Sequence, residues 1–95
     1  MNNYVEILKV LSDENRIKII DLLVEGETCS CELIKDLPIS QPTLSYHLKT
    51  LKAIGLISRE KEGNRVNYTV NKDLLNDLSL FIKNLTVCES TNCKI

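Results

Sequence analysis

The spacing of apolar side chains changes once along this chain and then changes back, and that double switch restricts the fold more than any other feature. Up to Gly55 apolar residues recur at helical spacing, from Leu56 to Val70 they alternate, and from Lys72 helical spacing returns. Four helices, a hairpin and a final helix are expected in that order. Tyr4 to Leu11 reads as the first helix, with Tyr4, Leu8 and Leu11 on one face and Ile7 nearby. Ser12 reads as the N-cap of the second, with Asp13 and Glu14 suited to its first turn. The second helix runs through Ile17, Ile20 and Val24, widened by Ile19, Leu22 and Leu23, and Gly26 ends it. A short third helix fits Cys31 to Leu37, stopped before Pro38. Ser40 caps a fourth, with Pro42 tolerated in its first turn, Leu44, Leu48 and Leu51 on its core face and Gly55 at its end. Leu56–Glu60 and Arg65–Val70 read as strands around a loop at Lys61–Asn64. The last helix spans roughly Lys72 to Val87, with Leu74, Leu78, Phe81 and Leu85 at a/d spacing beside Leu75 and Ile82. The expected fold is α+β, mainly α: a winged helix-turn-helix over residues 1–87, followed by a cysteine-containing tail at 88–95.

Charge is distributed in a way the net value of -1 conceals. Residues 1–40 carry four basic against eight acidic side chains, and residues 41–69 carry five basic against two acidic. One segment is locally basic inside an acidic chain, as expected if that segment alone faces phosphates. It holds the fourth helix, whose outer face carries hydroxyl, amide and imidazole groups and fits a major groove. Gln41 pairs with adenine in this reading. Thr43 and Ser45 reach bases or phosphates, and Tyr46, His47 and Lys49 meet the backbone. Arg59, Lys61 and Arg65 surround a glycine tip suited to the flanking backbone or minor groove. The expected partner is double-stranded DNA.

A chain of 95 residues buries only about two thirds of its unfolded surface. Its last helix has more apolar surface than one layer needs, so a two-fold partner is expected over Leu8, Leu74, Leu78, Phe81, Ile82 and Leu85. Such a homodimer sets its recognition helices ~34–36 Å apart, on an inverted repeat. No apolar run approaches ~18 residues, so no membrane span is expected. The N-terminus has neither a basic region nor a signal-peptide core, which places the protein in the cytoplasm. Thiols stay reduced there, so the four cysteines point to metal binding or redox chemistry more than to disulfides. No Cys-x-x-Cys, no glycine-rich phosphate loop and no paired nucleophile accompany the single histidine, so neither an enzyme nor an organic cofactor is expected.

Cys29 and Cys31 flank Ser30 at the start of the third helix, and Cys88 and Cys93 lie near the C-terminus. Thiolates suit soft ions: As(III), Sb(III), cadmium, lead or zinc. A helix N-terminus favours the thiolate. In a regular helix, residues i and i+2 point about 200° apart, so both sulfurs share an ion only if Cys29 lies outside the helix or its first turn unwinds. Oxidation of the same pair is an alternative signal.

Several of these segments together resemble the ArsR/SmtB metal-responsive repressors of bacteria and archaea. Leu11–Ile20 is similar to that family's opening signature, and Ser40–Lys49 to its recognition helix. Gly55-Leu56-Ile57 and Gly63–Tyr68 are similar to its wing. The resemblance implies a homodimer built on the first and last helices, and a repressor that leaves its operator when an inducer ion binds. Glu27-Thr28-Cys29-Ser30-Cys31-Glu32-Leu33 resembles the segment of arsenic-responsive members in which a Cys-x-Cys pair binds As(III). Those members often carry a third cysteine three residues after the second. Here that position is Ile34, so Cys88 or Cys93, from the same chain or its partner, stands in. Cadmium- and lead-sensing relatives use N-terminal cysteines, and no cysteine precedes Cys29. Zinc-sensing relatives use Asp and His on the last helix, which here carries Asp73 and Asp77 without a histidine.

Overall fold

The structure is a computed structural model, and it describes residues 3–26 and 28–86. Five helices and one antiparallel hairpin follow in the expected order: α1 (Tyr4–Leu11), α2 (Glu14–Glu25), α3 (Ser30–Leu33), α4 (Gln41–Ala53), β1 (Ile57–Glu62), β2 (Arg65–Val70) and α5 (Lys72–Asn84). Ser12 belongs to the end of α1, where its hydroxyl donates to the Lys9 carbonyl. Asp13 caps α2 instead, accepting from the N–H groups of Asn15 and Arg16 at 2.8 and 3.2 Å. A carboxylate at this position satisfies two orphan donors and matches the helix dipole, which a hydroxyl does less well.

Helix α3 begins one residue earlier than expected and is one turn long. It continues as a 3₁₀ turn over Ile34–Asp36, and Leu37 is extended, as the residue before Pro38 must be. The chain then enters α4 through the Ser40 cap, whose hydroxyl accepts from Thr43 N–H. Helix α4 closes in a Schellman motif: Leu56 N–H reaches the Leu51 carbonyl, Gly55 N–H reaches Lys52, and Gly55 takes φ +86. The hairpin pairs Ile57 with Val70 through Glu62 with Arg65, so β1 is longer and the loop shorter than expected. Gly63 and Asn64 make a two-residue turn in which Gly63 alone takes positive φ, the type II′ pattern. Asn71 fastens the start of α5 to the end of α4: its N–H donates to the Leu56 carbonyl, and its amide donates to the Gly55 carbonyl.

The core gathers Ile7, Ile19, Leu22, Leu33, Leu44, Leu51, Leu56 and Leu78 from all five helices and the foot of the hairpin. Two sequence expectations are corrected here. On α2 the buried face is Ile19, Leu22 and Leu23, while Ile17 and Val24 are exposed. On α5, Leu74 and Leu78 pack into this chain's own core and are not free for a partner. Phe81 stacks on Tyr4 of α1 with ring centroids 4.6 Å apart. Leu8, Ile82 and Leu85 remain exposed, together with Val5. Val87, Cys88 and Cys93, and with them the expected domain boundary, lie outside the described residues. Among the described residues no helix is long and apolar enough to cross a membrane.

Candidate nucleic-acid interface and sulfur site

Leu44, Leu48 and Leu51 seat α4 in the core, which turns Gln41, Thr43, Ser45, Tyr46 and Lys49 outward as expected. Between this helix and the hairpin runs a groove of about 400 Å³, lined by Ser45, Leu48, Lys49, Lys52, Arg59 and Tyr68. Three cations border it. Lys52 was not among the expected contacts. It lies one turn beyond Leu48, and only the return of β1 brings it to the same groove as Arg59. Lys61 is exposed near the hairpin tip.

His47 corrects the sequence reading. It is 6% exposed and turned inward, where its Nδ1 accepts a hydrogen bond from Arg16 Nε at 3.0 Å. The helical period sets it beside Leu44 and Leu48, on the boundary of the buried stripe. The same guanidinium donates to the Val10 carbonyl at 3.2 Å and lies 5.7 Å from the Tyr46 ring centroid. Arg16 therefore ties the end of α1 and the first turn of α2 to the recognition helix. Sequence reasoning missed it. The one available signal was a cation in a helix's first turn, where it opposes the dipole and needs another reason to be there.

Cys29 is the N-cap of α3 and has extended backbone (φ -117, ψ 158), outside the helix. Cys31 is its second residue. This placement lets the two sulfurs converge without unwinding the helix, and the structure joins them in a disulfide, with Cα atoms 5.3 Å apart. The pair is oxidised in this structure, where reduced thiols were expected. Among the described residues no cluster of three or more His, Cys, Asp or Glu side chains forms around it. Glu32 has its carboxylate committed elsewhere. Oε1 accepts from Thr28 N–H at 2.7 Å and Cys29 N–H at 3.4 Å. These backbone donors hold the Glu32 carboxyl below its usual range; desolvation opposes them, and nearby Arg65 aids them more weakly.

Arg65, expected to meet phosphates, keeps more than half of its side chain exposed, while its Nη2 donates to Thr28 Oγ1 at 3.0 Å and stands 3.9 Å from Glu32 Oε1. Beside it, Tyr68 N–H donates to the Thr28 carbonyl at 2.7 Å. Cys29, Ser30 and Cys31 thus share a groove of about 460 Å³ with Asn64, Arg65 and Val66. The sulfur pair abuts the hairpin.

The comparisons with known proteins agree with this geometry. The signature described as bacterial regulatory protein, arsR family, matches residues 13–59. An arsenical resistance operon repressor of Staphylococcus aureus is 43% identical over 90% of this chain and 80% of its own. The solved structure of an ArsR-like transcriptional regulator from Rhodococcus sp. RHA1 superposes with a TM-score of 0.77 at 27% identity, covering 86% of this chain and 77% of that one. The homodimeric winged helix-turn-helix DNA-binding domain of Mb0332 from Mycobacterium bovis superposes with a TM-score of 0.70 at 27% identity, over 85% of this chain and 76% of that fragment. A winged helix of this topology, with this sequence likeness across most of its length, places the chain in the ArsR family of transcriptional regulators, which are DNA-binding proteins and not enzymes.

Proposed function

We propose that the protein is a homodimeric repressor that holds an operator through α4 and the hairpin and releases it when Cys29 and Cys31 capture a thiophilic ion, As(III) or Sb(III) foremost. The observation that carries this reading is the convergence of two sulfurs at the N-cap of α3, one turn from the segment that leads into the recognition helix. Likeness to an arsenical resistance repressor supports the choice of ion. The donor set fits: two soft thiolates suit As(III), and a third donor would come from Cys88, Cys93 or the hydroxyl that arsenous acid retains. Capture requires the dithiol, so a thiol reductant first gives the disulfide two electrons and two protons. Arsenous acid then loses two hydroxyls as water, taking both thiol protons, and two S–As bonds form. Dimerisation is supported by the apolar face along α1 and α5, where Val5, Leu8, Ile82 and Leu85 stay exposed. A two-fold dimer places its α4 helices on an inverted repeat.

A duplex selected from a random pool by the unliganded protein provides the test. As(III) should weaken wild-type binding by about 5- to 150-fold, the range of ordinary allosteric coupling. Cys29→Ser and Cys31→Ser should keep their hold. Equal release from all three proteins removes the sensing reading and leaves DNA binding standing. Titrating the thiolate absorption with As(III), Cd(II) and Zn(II) ranks the ions.

A second reading has its own support in the disulfide. Here hydrogen peroxide oxidises the two thiols, forming the S–S bond and two waters, and oxidation changes the grip on DNA. Release by peroxide, reversal by reductant and indifference to As(III) would favour it.

A further inference from the structure

Resting on the sensing reading above, the geometry points to a route by which the sulfur pair is read: the hairpin holds it through a latch in which Arg65 grips Thr28 and Glu32, making these three residues positioning residues for the response.

Cys29 sits between the two ends of this latch. On its N-terminal side Thr28 offers two acceptors to β2, its carbonyl to Tyr68 N–H and its hydroxyl to Arg65. Glu32, next to Cys31 on the C-terminal side, returns to Thr28 and Cys29 N–H and faces the Arg65 guanidinium. Asn67 accepts from Arg65 Nε at 2.9 Å and so fixes the guanidinium on the strand. No residue of α4 takes part in this set of contacts. The ring of contacts therefore passes from the sulfurs to the wing directly, without the recognition helix.

Reduction, and the ion capture that follows it, must disturb this ring. The two sulfurs, bonded to each other in the disulfide, part when that bond is reduced and then share an ion without an S–S bond between them. Cys29 caps, and Cys31 belongs to, a helix of a single turn. The carbonyl and N–H groups that hold Tyr68 and Glu32 are those of Thr28 and Cys29 themselves, so separation of the sulfurs is delivered to the start of β2. Arg65 then has two states: held against α3, or free to move with the wing tip.

The test follows the wing directly. In ¹⁵N-labelled full chain, the Tyr68 amide and the Arg65 Nε–H signals are monitored by NMR, with the disulfide intact, after reduction by a phosphine, and after As(III). The latch predicts that both signals move on reduction or ion capture, while the signals of Lys83 and Asn84 at the far end of α5 stay in place. In Thr28→Val and Arg65→Gln the ion should still produce its thiolate absorption within about twofold of wild type. Operator release, the ratio of Kd with and without As(III), should shrink to less than about threefold. Because that ratio cancels any direct effect on DNA affinity, it reads coupling alone. Arg65→Lys, which retains one donor, should recover part of it. A thiolate band with unmoved wing signals, or full release in both variants, overturns the latch and leaves ion sensing intact. Absence of a thiolate band removes the sensing reading instead. The latch is then judged on reduction alone, and unmoved Tyr68 and Arg65 signals overturn it.

Discussion

Arg16 and Glu32 each hold two elements together with a single side chain, and each makes a prediction a neutral substitute can check. Arg16→Met leaves the buried His47 Nδ1 without its donor. An unsatisfied buried acceptor costs about 1–3 kcal/mol, so urea denaturation should show a loss of that size at unchanged m. A double change to Met at Arg16 and Leu at His47 should lose less than the two single changes together, because it deletes both partners. Glu32 acts through charge. Its carboxyl pKa is lowered from the ordinary 4.5 by backbone donors, so its contribution is complete above the unfolded value and is lost as pH falls through the folded one. Stability should therefore drop more steeply below about pH 4.5 in wild type than in Glu32→Gln, which retains an acceptor but cannot titrate. Thermal melts across the acid range compare the two slopes; equal slopes would remove Glu32 from the cap. Neither Arg16 nor Glu32 stood out in the sequence as a tertiary contact. A partner 31 residues away leaves no periodic trace, and Arg65 looked like any exposed wing cation until β2 laid it against Thr28.

Among the elements, legibility followed one-sidedness. Helix α4 has three leucines on one stripe and polar groups elsewhere, so its buried face was plain, and only His47, on the edge of that stripe, fell on the wrong side. Helix α2 spreads its apolar residues, Ile17, Ile19, Ile20, Leu22, Leu23 and Val24, over a wide arc. Its period cannot choose between faces, and tertiary packing chose Ile19, Leu22 and Leu23. The two ends of α3 were misplaced because capping and the following proline, not hydrophobic spacing, define so short a helix. The sulfur geometry depended on that detail: with Cys29 inside the helix the pair would diverge. The wing offers the cleanest check at this scale. Gly63 holds φ +59 with open space around its missing Cβ. Gly63→Ala should cost about 1–2 kcal/mol through backbone strain alone, visible as a lower Tm without any change in helical circular dichroism. A neutral result would mean the turn adopts another form.

For the whole molecule the question is what covers α1 and α5. Tyr4 and Phe81 fasten these helices together, and the face beside them leaves Ile82 45% and Leu85 71% exposed. A chain this short has limited stability of its own, and burying such a face against a second copy would add to it. Two consequences separate a dimer from a monomer with a greasy edge. A dimer's Tm rises with protein concentration, since association stabilises only the folded form. It also binds an inverted repeat with both recognition helices, so breaking it should reduce affinity by far more than any lost phosphate contact. Ile82→Glu combined with Leu85→Glu places two carboxylates on that face without touching Leu74 or Leu78, which belong to the chain's own core. The variant should keep wild-type helicity, sediment at half the mass, lose the concentration dependence of its Tm, and bind the operator about 10²- to 10⁴-fold more weakly, as expected when two linked contacts become one. A variant that still sediments as a dimer would place the interface elsewhere. The exposed Ile17 and Val24 of α2 would then be the next surface to change.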